Sequence, residues 1–126
     1  MKTIYISVSL FCIMLFFLIF SINYLDRECM KLDNINETME DNIKKETWDK
    51  ADKNSLLFLK EWETSSHKLS LFIDHKEMDN INNELWKLTQ YINCRNKDEA
   101  LASNNVIKFF IDHVNKMEKI NIQNIF

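Results

Sequence analysis

The sequence contains neither glycine nor proline. Those two residues supply tight turns at the lowest steric cost, so their joint absence disfavours hairpin-rich sheets and points to helices joined by Asn- and Asp-rich corners. It also removes glycine-rich phosphate loops and dinucleotide fingerprints of the usual kind. Cysteine is scarce: Cys12 sits within an apolar run, Cys29 just past it and Cys94 in a polar corner. Three cysteines define no disulfide framework, so free thiols are expected, although the sequence alone leaves a Cys29–Cys94 bridge open. A basic excess is missing too, with 16 Lys and Arg against 19 Asp and Glu and a formal charge of −3. Phosphate binding needs a basic footprint, so nucleic acid is not an expected partner. Just beyond the apolar run Asp26, Arg27, Glu28, Lys31 and Asp33 nearly cancel, which leaves no polybasic patch there for anionic lipid.

One long apolar run is present. Ile4 to Ile22 reads IYISVSLFCIMLFFLIFSI without a charge, and with Tyr24 and Leu25 it matches the roughly 20 residues that cross a hydrocarbon core. A cleavable signal peptide has a shorter apolar run and a small-residue cleavage site. Here the run is long and is followed by NYLDREC, which is also the wrong chemistry for a lipoprotein cysteine. An uncleaved transmembrane helix over 4–25 is expected. The amino terminus and Lys2 are positive, so the positive-inside rule places 1–3 in the cytoplasm and the remainder outside the cell membrane, as a single-pass protein.

Beyond the anchor the pattern predicts an all-α fold: a stalk or first domain helix over 26–46, then an antiparallel helical bundle over 47–126. Leu25, Leu32, Ile35, Met39 and Ile43 are sparse apolar marks, compatible with a continuing stalk or with a helix entered at Asn34 with Glu37 as its capping-box partner. From Trp48 the positions Ala51, Ser55, Leu59, Trp62, Ser66, Leu69 and Ile73 step by three or four and share one face. Thr47 is the expected N-cap. Asp74 to Glu77 opens the next helix, striped by Met78, Ile81, Leu85, Leu88 and Ile92. Asn96 to Glu99 opens a last one, carrying Leu101, Val106, Phe110, Val114 and Met117, with Ile107, Phe109 and Ile111 widening its face. Short corners make antiparallel neighbours the expected arrangement. LFIDH at 71–75 echoes FFIDH at 109–113, as a duplicated hairpin would, but the match fades elsewhere.

No catalytic constellation emerges, and no catalytic, metal or cofactor residue is assigned. Asp74, His75, Glu77 and Asp79 are metal-capable, yet they form no HExxH pattern and capping explains them equally. His67 and His113 are isolated. Asn36-Glu37-Thr38 is formally a glycosylation sequon. The aromatic positions Trp48, Trp62, Phe72, Trp86 and Phe126 are the candidates for core packing or partner contact, and the apolar tail NIQNIF is free to fold back or meet a partner.

The chain resembles a membrane-anchored bacterial family, found mainly in Firmicutes, catalogued as domain of unknown function 4363. The matching features are the N-terminal anchor, the WDKA run at 48–51, Trp62, LFIDHKEMDNI at 71–81, Tyr91-Ile92, ALA at 100–102 and the closing EKINIQNIF from Glu118. Ser103-Asn104-Asn105 departs from the leucine- and alanine-rich helix expected at that point. The resemblance implies the fold and the topology but no activity, no cofactor and no catalytic residues. It implies partnership with other membrane proteins, among them an integral membrane family of unknown function 421. The expected function is therefore a non-enzymatic accessory or interaction module at the extracytoplasmic face, with another membrane or envelope protein, or a second copy of the chain, as partner. The alternative is an extracytoplasmic sensor that binds a small ligand between its helices and acts through a partner.

Overall fold

A computed structural model describes the backbone of residues 1–71 and 73–125 and the side chains of 1–71 and 73–116. The described residues form four helices: α1 (Lys2–Lys44), α2 (Trp48–Leu69), α3 (His75–Asn93) and α4 (Lys97–Ile125). α1 packs against α2 and α4, and α3 closes the square against the same two. This is an antiparallel bundle in which chain neighbours are spatial neighbours.

The 26–46 segment is no separate element. α1 runs unbroken for 43 residues, about 65 Å at 1.5 Å per residue. Asn34 starts no helix, because its carbonyl accepts the Thr38 hydroxyl at 3.0 Å within the continuing turns. The two halves of α1 differ in what surrounds them. Among the described residues it is the one helix long and apolar enough to cross a membrane, and none of its apolar window is buried in the fold. Its second half buries Leu25, Cys29, Leu32, Met39 and Ile43 in the bundle. Spacings of three and four keep this stripe narrow.

The stripe on α3 agrees with expectation: Met78, Ile81, Leu85, Leu88 and Ile92 are all buried. On α2 the periodicity is right but the face is turned slightly. Phe58 and Ser65 are buried, while Leu59 and Ser66 are half-buried and the helix ends at Leu69, short of Ile73. On α4 Ala100, Ile107, Ile111 and Val114 enter the core, whereas Phe109 stays 64% exposed. Met117 lies outside the described side chains. The echo between 71–75 and 109–113 is not structural, since the first run spans the α2–α3 corner and the second lies within α4.

The two corners far from the apolar end of α1 solve the glycine problem in the same way. Glu46 and Arg95 adopt left-handed φ angles of 57° and 54°. At the first, Glu46 N–H bonds to Ile43 O and Thr47 N–H to Asn42 O. At the second, Arg95 N–H bonds to Ile92 O and Asn96 N–H to Tyr91 O. Both are Schellman caps, which glycine usually provides. The left-handed residue is Glu in one corner and Arg in the other. Thr47 and Asp74 occupy their N-cap positions without making the side-chain cap bond, and Thr47 Oγ1 lies instead 3.1 Å from the Asn42 carbonyl. Asn96 does cap, accepting Glu99 N–H at 3.3 Å.

Candidate functional site

The aromatic candidates separate into core and surface. Trp62 is core: it is 4% exposed, and its indole N–H donates to Asn82 Oδ1 at 2.6 Å, tying α2 to α3. Trp48 is half-buried and packs against the core. Trp86 is 67% exposed on α3. Phe72 and Phe126 lie outside the described residues. The Trp62–Asn82 bond fixes the α2–α3 register, so Trp86, one helical turn beyond Asn82, falls opposite the turn of α2 that carries Leu56, itself 58% exposed.

The metal-capable run does not converge. His75, Asp74 and Asp79 are exposed. His113 lies on α4 with its ring stacked on Phe109, the centroids 5.9 Å apart. Among the described residues no group of three or more His, Cys, Asp or Glu is placed to hold a metal ion. All three cysteines are free; Cys29 is buried beside Leu32, and Cys94 is exposed at the opposite end of the bundle. The sequon is inaccessible in the fold, because Asn36 is 0% exposed.

Polar groups buried along α1 make contacts whose partners the sequence does not reveal. Glu28 is 8% exposed and accepts the Ser65 hydroxyl of α2, with Lys31 Nζ at 3.5 Å from its other oxygen. Asn36 Nδ2 donates to the backbone carbonyl of Asn104 at 3.3 Å, and Asn104 Nδ2 donates back to Asn36 Oδ1 at 3.2 Å. The Ser103-Asn104 departure from the family pattern is therefore a built contact, as Ser103 also bonds Glu84 Oε2 at 2.9 Å. Nearer the apolar half, Asn115 Nδ2 donates to Asp26 Oδ1 at 3.1 Å.

These acids shape the local electrostatics. Burial, reinforced by the negative charges of Asp26, Glu28, Asp112 and Asp33, pushes the Cys29 thiol up to about 12. A thiol so protonated is a poor nucleophile and metal ligand. Burial also raises Asp33, opposed by Lys108 and reinforced by Asp112 and Glu37, and Asp33 Oδ1 is buried without a hydrogen-bond partner.

Two spaces bear on ligand binding. The gap between Cys29, Leu32, Trp62, Leu69, Ile81 and Ile111 is apolar and holds about 10 Å³, no more than a single water needs. An open cleft of about 320 Å³ lies at the far end between Thr47, Trp48, Lys50 and Arg95. Neither a curated protein nor a solved structure matches the chain. The model of one family, described as a domain of unknown function (DUF4363), matches residues 19–125, and the chain belongs to that family.

Proposed function

We propose that the chain is a membrane-anchored accessory module: α1 crosses the bilayer once, 1–3 lie in the cytoplasm, and the bundle stands on the extracytoplasmic face to engage another membrane or envelope protein. The observation that carries the reading is the contrast within α1. Its first half leaves Phe16 74% and Phe17 69% exposed while its second half is built into the core. Each such side chain forgoes about 1.5–3 kcal/mol when left in water. A contiguous sleeve of them is a lipid- or protein-covered surface.

Lys2 and the amino terminus against three acids and two bases over 26–33 support the orientation. On the bundle, Trp86 and Leu56 offer an apolar contact surface of the kind that anchors protein partners. The module is proposed as non-enzymatic; His75 and Asp79 stand exposed, and among the described residues no third metal-capable group joins them.

Two measurements test it. Cys94 is exposed, so a membrane-impermeant maleimide should label it on intact cells; labelling only after lysis refutes the orientation. A photo-crosslinking residue at position 86 in the full chain should then capture one reproducible membrane protein, with the yield lost from a control position such as Lys50. Capture of nothing but the chain itself makes the module a homo-oligomer. The cleft beside Trp48 favours the second reading, a small-ligand sensor, and saturable ligand-induced change in Trp48 emission would support it.

A further inference from the structure

We infer that the end of α2, at Ser70 and Leu71, docks onto the bilayer that holds α1, with Leu71 inserted at the headgroup–acyl boundary. The inference rests on reading α1 as the membrane span.

Register places the corner. Ser65 on α2 bonds Glu28 on α1, and Lys68 Nζ lies 5.5 Å from the centre of the Tyr24 ring. Leu69 and Leu25 are both buried at this end of the core. α2 therefore ends at the level of Tyr24, within a turn of Ile22, the last residue of the apolar run before Asn23. The chain must reverse here, and the reversal occurs where the hydrocarbon region gives way to headgroups.

The corner's chemistry suits that position. Leu71 is 82% exposed, more than Phe16 at 74% or any other large apolar side chain named as exposed except Met1. Neighbouring helices leave it bare although the core is a few residues away. Lys68 and Lys76 flank it and are exposed, against Asp74. This arrangement of an apolar tip between cations, with Tyr24 on the adjacent helix, is that of an interfacial anchor. Lys side chains reach toward headgroup phosphates while their stems stay apolar. A soluble partner protein would have to approach through the headgroup layer to cover Leu71, whereas lipid is already there.

The test uses the full chain with Cys12 and Cys94 replaced by Ser, reconstituted in vesicles of phosphatidylcholine with a minor share of phosphatidylglycerol. An environment-sensitive fluorophore is attached at Leu71→Cys, at Leu57→Cys and at Ile13→Cys in separate variants. Leu57 lies twelve residues up α2 from Leu69, about 18 Å farther from the membrane. Nitroxide lipids labelled near the headgroup should quench the probe at 71 and leave that at 57 untouched, and aqueous iodide should do the reverse. Iodide quenching at 71 equal to that at 57 overturns the docking. Protection at 71 from both quenchers overturns it too, because protein then covers the corner. The probe at 13 separates this proposal from the anchor: loss of its emission with deep-chain nitroxides keeps the span intact even if docking fails. Persistence of its emission removes the span and the docking together.

Discussion

Asn36 and Asn104 carry the sharpest stability prediction. They are 0% and 1% exposed and exchange two hydrogen bonds across the α1–α4 seam. Asn36→Leu removes both bonds and leaves the Asn104 amide buried without a partner. Two bonds at roughly 1 kcal/mol each, plus about 1–3 kcal/mol for the stranded amide and less the gain from added apolar burial, give about 3 kcal/mol. Asn104→Leu should cost less, because Asn36 Nδ2 keeps its bond to the backbone carbonyl at 104 and only the Asn104 Nδ2–Asn36 Oδ1 bond is lost. The double variant removes both side-chain amides and takes only the Asn36 donor from the backbone carbonyl at 104, so it should be less destabilised than the sum, with a coupling of about 1–3 kcal/mol. Urea unfolding of the full chain in mild detergent, followed by tryptophan emission, would read each single change as a midpoint lowered by about 1–3 M. Additivity within about 0.5 kcal/mol would refute the reciprocal pair.

Three further outcomes follow from other parts of the bundle. Arg95→Gly should raise stability by roughly 0.5–1 kcal/mol, because glycine holds the left-handed cap conformation without a Cβ clash; the same urea titration measures it, and a loss would contradict the cap assignment. Cys29 should resist iodoacetamide at neutral pH while Cys94 reacts, and should become reactive only in denaturant, as peptide mass mapping would report. Asp33 has its folded pKa raised above 3.8 by burial, so the folded state holds the proton more tightly than the unfolded one. Its contribution is fully present below the unfolded pKa and is lost as pH rises through the raised value. Asp33→Asn should therefore flatten stability against pH in the mildly acidic range just above 3.8, and an unchanged slope would show that the carboxylate is solvated.

The elements were legible because their causes are local. Met78, Ile81, Leu85, Leu88 and Ile92 form an unmixed stripe, and all five are buried. In the LLFL run at 56–59 the same rule allows two neighbouring faces. The structure chooses Phe58, whose spacing to Ser55 and Trp62 is as helical as that of Leu59. The polar contacts were half legible. Glu28 and Asn36 fall in register between Leu25, Leu32 and Met39, so a charge and an amide were visibly placed on the core stripe. Their partners were not, because Ser65 lies 37 residues away and Asn104 lies 68 away, and periodicity within one helix says nothing about register between two. The exposure of Trp86 was hidden for the same reason: it is one position past the stripe, and only the packing angle decides whether a neighbour covers it.

Those polar partners also explain how a helix with an apolar first half and an apolar stripe along its second keeps the bundle at one height. The stripe of α1 repeats by threes and fours, so sliding α2 or α4 by one turn, about 5.4 Å, would still bring apolar side chains onto apolar side chains. Such a slip would part Ser65 from Glu28, Asn104 from Asn36, and Asn115 from Asp26. Each separation takes the acceptor from a partly or fully buried donor, the Ser65 hydroxyl or the amide of Asn104 or Asn115, at about 1–3 kcal/mol apiece. Three together amount to a large share of the 5–15 kcal/mol that holds a domain of this size. The pins make one register far better than its neighbours. The position of the α2–α3 corner relative to Ile22 is set by that choice. Loosening the pins should leave a helical bundle whose height above the end of the apolar run is no longer unique.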